Sequence, residues 1–123
     1  MGRVLYALLL LSAVAIAQEA SQVQMRTIDT IAACLLSGVP PQWKRVDMLV
    51  ELEAPMAGAG KVQYIVTGAD GQRAPFAPCD DQLPVRALLE AREAQPAEHR
   101  GWRAARLALE PSGDFRLNFD YPK

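Results

Sequence analysis

Histidine is almost missing from this sequence of 123 residues: His99 is the only one. Cysteine is nearly as scarce, with Cys34 and Cys79 alone, and no internal repeat or low-complexity tract appears. Each shortage excludes something. One histidine and two cysteines fall short of a four-ligand zinc site, so no metal is expected. A general base needs a nucleophile and an orienting group beside it. His99 lies in the polar stretch Gln95–Gly101 and offers neither. No catalytic residue and no cofactor are therefore expected, and the chain does not read as an enzyme. A formal net charge of −1 gives no electrostatic reason to bind nucleic acid or anionic lipid.

Other small clusters also read as structural. Glu51 and Glu53 are two apart in a strand-like stretch, which places both on a solvated face. Asp80 and Asp81 precede a helix and suit its cap. Gly58–Gly60 and Gly68–Gly71 are too short, and wrongly placed, to cradle phosphate at a helix N-terminus.

The strongest positive signal is at the start. In MGRVLYALLLLSAVAIA, Arg3 supplies a basic end, Leu5–Ile16 an apolar run, and Ala15-Ile16-Ala17 a small-x-small cleavage motif. The run is shorter than the roughly 20 residues a membrane span requires. A cleavable secretory signal at residues 1–17 is expected, with the cut after Ala17. No cysteine follows the cut, so no lipid anchor is expected. The product is then a periplasmic or secreted domain spanning residues 18–123, with no stable membrane anchor. In an oxidising compartment two cysteines most often pair. A Cys34–Cys79 disulfide is worth about 4 kcal/mol in the chain-entropy treatment.

Periodicity organises the rest. Met25, Ile28, Ile31, Ala32, Leu35 and Leu36 recur at helical spacing, with Ser21 as a candidate cap and Gly38 and Pro40-Pro41 as the stop. The period then becomes two. Val46, Met48, Val50 and Leu52 face one side of a strand; Asp47, Glu51 and Glu53 face the other, and Leu49 breaks the rule. Residues 54–60 turn the chain into a second strand over Lys61–Thr67. Gly68–Asp81 reads as a loop anchored by Phe76 and Cys79. Leu83–Glu93 is helical, with Asp80 or Asp81 to cap it and Pro84 tolerated in its first turn. Trp102–Glu110, the turn Pro111–Asp114 and Phe115–Tyr121 form a hairpin. Phe115, Leu117, Phe119 and Tyr121 share one of its faces; Arg116, Asn118 and Asp120 share the other. The expectation is an α+β domain of order α-β-β-α-β-β: a four-stranded antiparallel sheet with two helices on one face.

Two stretches carry a resemblance. Gly38-Val39-Pro40-Pro41-Gln42-Trp43-Lys44-Arg45-Val46 leads from an amphipathic helix into a strand. Gly101-Trp102, Ser112-Gly113-Asp114-Phe115 and Asn118-Phe119-Asp120-Tyr121 close the chain. Together they resemble the YezG-like family of immunity proteins, over about Ile28 to Tyr121. The resemblance implies an antitoxin-like role, binding a secreted toxin and blocking it by occlusion. The export signal and the cysteines depart from that family, so the target would act outside the cytosol. No family interface residue carries over.

The residues themselves suggest where a partner protein would bind: Asp47, Glu51, Glu53, Arg116, Asn118 and Asp120 on the polar sheet face, with the loop Gly68–Asp81 as a second candidate. Trp43 joins them because tryptophan is enriched at binding hot spots; for it, as for Trp102, the plainer reading is a core edge. Mixed charges there suit a basic or mixed-charge partner. A monomer or weak dimer is expected. The alternative is a small exported ligand- or envelope-component-binding module, which a pocket lined by Trp43, Tyr64 and Phe76 would favour.

Overall fold

A computed structural model describes residues 25–54, 58 and 60–122. The expected signal at residues 1–17, the Ser21 cap and most of the 54–60 turn lie outside the described residues. The chain is helical over 25–36 (α1), then forms strands β1 (Trp43–Leu52) and β2 (Gly60–Gly68). Strand β3 (Arg73–Pro75), helix α2 (Leu83–Glu93), a 3-10 turn (Ala97–His99), and strands β4 (Ala104–Leu109) and β5 (Phe115–Asp120) follow. The sheet is antiparallel throughout, in the order β3-β2-β1-β4-β5.

The α+β class and the two helices agree with the sequence, but the sheet has five strands, not four. The extra strand is β3, inside the stretch expected to be a loop. It pairs with only Ile65–Thr67 of β2, and Pro75 sits at its end, where a missing donor is tolerated on an edge. Three residues are too few to show a period.

One layer of the sheet makes the core. Val46, Met48, Val50 and Leu52 of β1, Tyr64 and Val66 of β2, and Ala105, Leu107 and Leu109 of β4 are buried together. Ile28, Ile31 and Leu35 of α1, and Val85 and Leu88 of α2, close over them. The α1 stripe is narrower than its spacing suggests. Met25 and Leu36 are exposed, Leu36 being one position, about 100°, round from Leu35.

Three bonds fasten the loop after β3 to the body of the domain, two to α1 and one to β2. Cys34 and Cys79 form a disulfide with Cα atoms 4.8 Å apart, and the Cys79 N–H donates to the Cys34 carbonyl at 2.9 Å. The Tyr64 hydroxyl donates to the Asp81 carbonyl at 2.6 Å. Gly38 is required here, because a Cβ would strike the Ala77 carbonyl. Asp80, not Asp81, caps α2: its carboxylate accepts from the backbone of Gln82 (2.8 Å) and Leu83 (3.1 Å). Those bonds, with Arg86 nearby, hold its carboxyl below its ordinary pKa.

Burial, then the charges of Asp81 and Asp80, push the Tyr64 hydroxyl up to about 12. The folded state thus favours the neutral phenol more than the unfolded chain does. This contribution to stability is complete below pH 10 and is lost as pH rises from about 10 to about 12. Denaturant titrations across that window should show stability falling with pH, and falling less in Tyr64→Phe.

Candidate functional site

The other layer of the sheet carries no covering element among the described residues. Register places every second residue on it: Arg45, Asp47, Leu49 and Glu51 from β1, and Lys61, Gln63, Ile65 and Thr67 from β2. Ala104, Arg106 and Ala108 of β4 and Arg116, Asn118 and Asp120 of β5 extend it on one side. Arg73 and Pro75 of β3 complete it on the other. Successive cross-strand rows read Pro75–Ile65–Asp47–Ala108–Arg116, Gln63–Leu49–Arg106–Asn118 and Lys61–Glu51–Ala104–Asp120.

Five of the seven candidate residues therefore share one surface: Asp47, Glu51, Arg116, Asn118 and Asp120. Glu53 does not; it lies past the end of β1 in a bend. Trp43 does not either. The β1–β2 register shifts between Trp43 and Arg45, so Trp43 faces Gly68 and packs against the core. A bulge turns it away from the face its parity implies. Trp102 is core as well, 2% exposed, with its ring 5.2 Å from that of Phe119.

Asp47 is on the open face yet only 4% exposed. Its carboxylate accepts from Arg45 Nε at 3.0 Å and lies 3.0 Å from the second guanidinium nitrogen. A partner cannot reach it; its role is to fix the half-exposed Arg45. Leu49, the residue that breaks the alternation of β1, is half-buried in the middle of this face, with Ile65, Ala104 and Ala108 around it.

Sequence reasoning missed most of the charge here. Lys61, Arg45, Arg73 and Arg106 join Arg116 on this surface, against Asp47, Glu51 and Asp120. The face is locally basic, with five cationic side chains against three carboxylates, although the chain is not. The signal was present in the alternation of β4, where Arg106 stands out of phase with Ala105, Leu107 and Leu109. Two shallow depressions, of about 580 and 380 Å³, meet at Leu49 and Arg106. An apolar centre rimmed by arginines is the composition of protein interfaces.

No protein-family model and no curated protein matches this chain.

The remaining candidates do not converge on chemistry. Tyr64 and Phe76 meet, with ring centroids 6.0 Å apart, in a shallow groove along β2 and β3. Trp43 is at the far end of β1, so the three do not form one pocket. His99 ends the 3-10 turn with its side chain exposed, 3.7 Å from Glu98. It borders a cavity of about 210 Å³ between α2 and β5, whose described lining includes Arg92, Trp102 and Phe119 but no carboxylate. Arg92 is buried, 5.8 Å from the centre of the Trp102 ring and 3.6 Å from Glu93. Among the described residues no three metal-ligating side chains cluster, and no helix is long and apolar enough to cross a membrane.

Proposed function

We propose that the protein is exported, loses residues 1–17, and acts in the periplasm or outside the cell as an immunity-type inhibitor, occluding a secreted toxin. The observation that carries this reading is the uncovered sheet face: an apolar centre at Leu49 with Arg45, Arg73, Arg106 and Arg116 around it. Such a surface binds without reacting, and its arginines match an acidic patch on a partner. The Cys34–Cys79 disulfide fits an oxidising compartment. The likeness of the Gly38–Val46 and Gly101–Tyr121 segments to YezG-like immunity proteins agrees with the same role.

The test compares two surfaces. A partner captured from periplasmic extract on immobilised mature protein should lose its activity at saturation. Arg106→Glu on the open face should weaken binding at least about tenfold, since it removes a central arginine and inverts its charge. Arg86→Glu, on the exposed side of α2, should behave as wild type. A captured partner that stays fully active when saturated would remove the inhibitor role. A small-ligand module remains the second reading, favoured by the cavity beneath Arg92 and Trp102. It predicts that neither charge reversal matters.

A further inference from the structure

The two edges of the sheet are built differently. At one, β3 is three residues long and ends in Pro75, features that discourage further pairing. At the other, β5 runs six residues with no proline, no bulge and no lysine. Its outer edge is unpaired among the described residues. The Glu110 N–H donates to the Asp114 carbonyl at 3.0 Å, which sets the phase of the β4–β5 ladder. Even-numbered residues of β5 direct their backbone groups to β4, and Phe115, Leu117 and Phe119 direct theirs outward. These three side chains are only half-buried, whereas Ala105, Leu107 and Leu109 of the neighbouring strand are buried; Tyr121, just beyond, is 44% exposed.

We propose that β5 pairs antiparallel with β5 of a second copy of this chain, the two-fold axis passing through Asn118. The charge pattern selects both the partner and the register. With the axis at Asn118, Arg116 lies opposite Asp120 of the other copy, and Asp120 opposite its Arg116. Hydrogen-bonded pairs then fall on Leu117 with Phe119 and on Phe115 with Tyr121, the residues whose backbone groups point outward. The charged pairs fall on non-hydrogen-bonded positions, where opposed side chains are closest. Moving the axis to Leu117 opposes Asp114 and Asp120; moving it to Arg116 opposes two arginines; moving it to Phe119 leaves Arg116 without a carboxylate. Among registers that keep the pairing within Phe115–Asp120, only the one at Asn118 makes two opposite-charge pairs. It also joins the apolar faces of the two strands and extends the open face across ten strands.

Sedimentation of the disulfide-bonded mature protein over a micromolar to millimolar series tests this. A monomer–dimer equilibrium is expected. Arg116→Asp and Asp120→Arg each place like charges opposite one another at both ends of the junction, and each should weaken dimerisation at least about tenfold. The double variant, with the charges exchanged, should restore it. Both side chains are exposed, so circular dichroism should be unchanged in all three. A monomer at every concentration, a dimer indifferent to the single changes, or a double variant that fails to recover would each overturn the proposal.

Discussion

Trp102→Ala is expected to lower the free energy of unfolding by about 3–5 kcal/mol, the range for removing a fully buried tryptophan. Its ring is 2% exposed, packed against Phe119 on one side and near the Arg92 guanidinium on another. The substitution thus opens a cavity and also leaves a buried cation facing it, which places the loss toward the upper end. Domains of this size have about 5–15 kcal/mol in total, so the variant should be marginal at 25 °C. Urea titration with an unchanged slope would report the loss as a shift in midpoint. Trp102→Phe, which keeps an aromatic ring under Arg92, should recover a substantial part. A loss below about 1 kcal/mol for the alanine variant would show that the junction of α2, β4 and β5 is not packed around this ring.

The second large effect concerns the disulfide. Cys34→Ala with Cys79→Ala should cost about 4 kcal/mol, from the entropy regained by an unfolded chain freed of a cross-link spanning 45 residues. For a domain this small that corresponds to a fall in melting temperature on the order of 20 °C. The effect should also be local. The loop from Phe76 to Gln82 would retain the Tyr64–Asp81 and Cys79–Cys34 hydrogen bonds as its ties to the body. Amide exchange at Cys79 should therefore accelerate more than exchange in the β4–β5 hairpin. An equal acceleration everywhere would mean that the loop does not open by itself. The mature chain expressed in a reducing cytosol, where the disulfide does not persist, should likewise be poorly stable.

Elements whose pattern is local were legible in the sequence. The β4–β5 hairpin was legible from the clean alternation of β5 and a turn containing Gly113, whose φ of 93° is the left-handed conformation that such a turn requires. Helix α2 was legible from its spacing and from the acidic cap before it. The disulfide followed from pairing the only two cysteines in an export context. Features that depend on cross-strand alignment were not legible. Arg45, Lys61, Arg73, Arg106 and Arg116 come from five strands and converge only when register is known. Asp47 reads as a solvated residue because it alternates with the apolar Val46 and Met48; Ile65 and Ala108, which flank it across the sheet, are distant in the chain. Trp43 sits against the core, as a core-edge reading has it, because a single extra residue in β1 inverts the facing of everything before it; strand parity alone would not place it there. Leu49 was visible as an exception to the alternation, and it marks the centre of the open face.

The central claim is that this open face, and not the helical layer or the cavity beside Arg92, meets the partner. Photo-crosslinking in living cells tests it directly, with the reactive side chain placed at position 49 in one strain and at position 86 on α2 in another. Adducts to one envelope or secreted protein are expected from position 49 and none from position 86. Adducts from position 86 alone, with none from position 49, would contradict the claim.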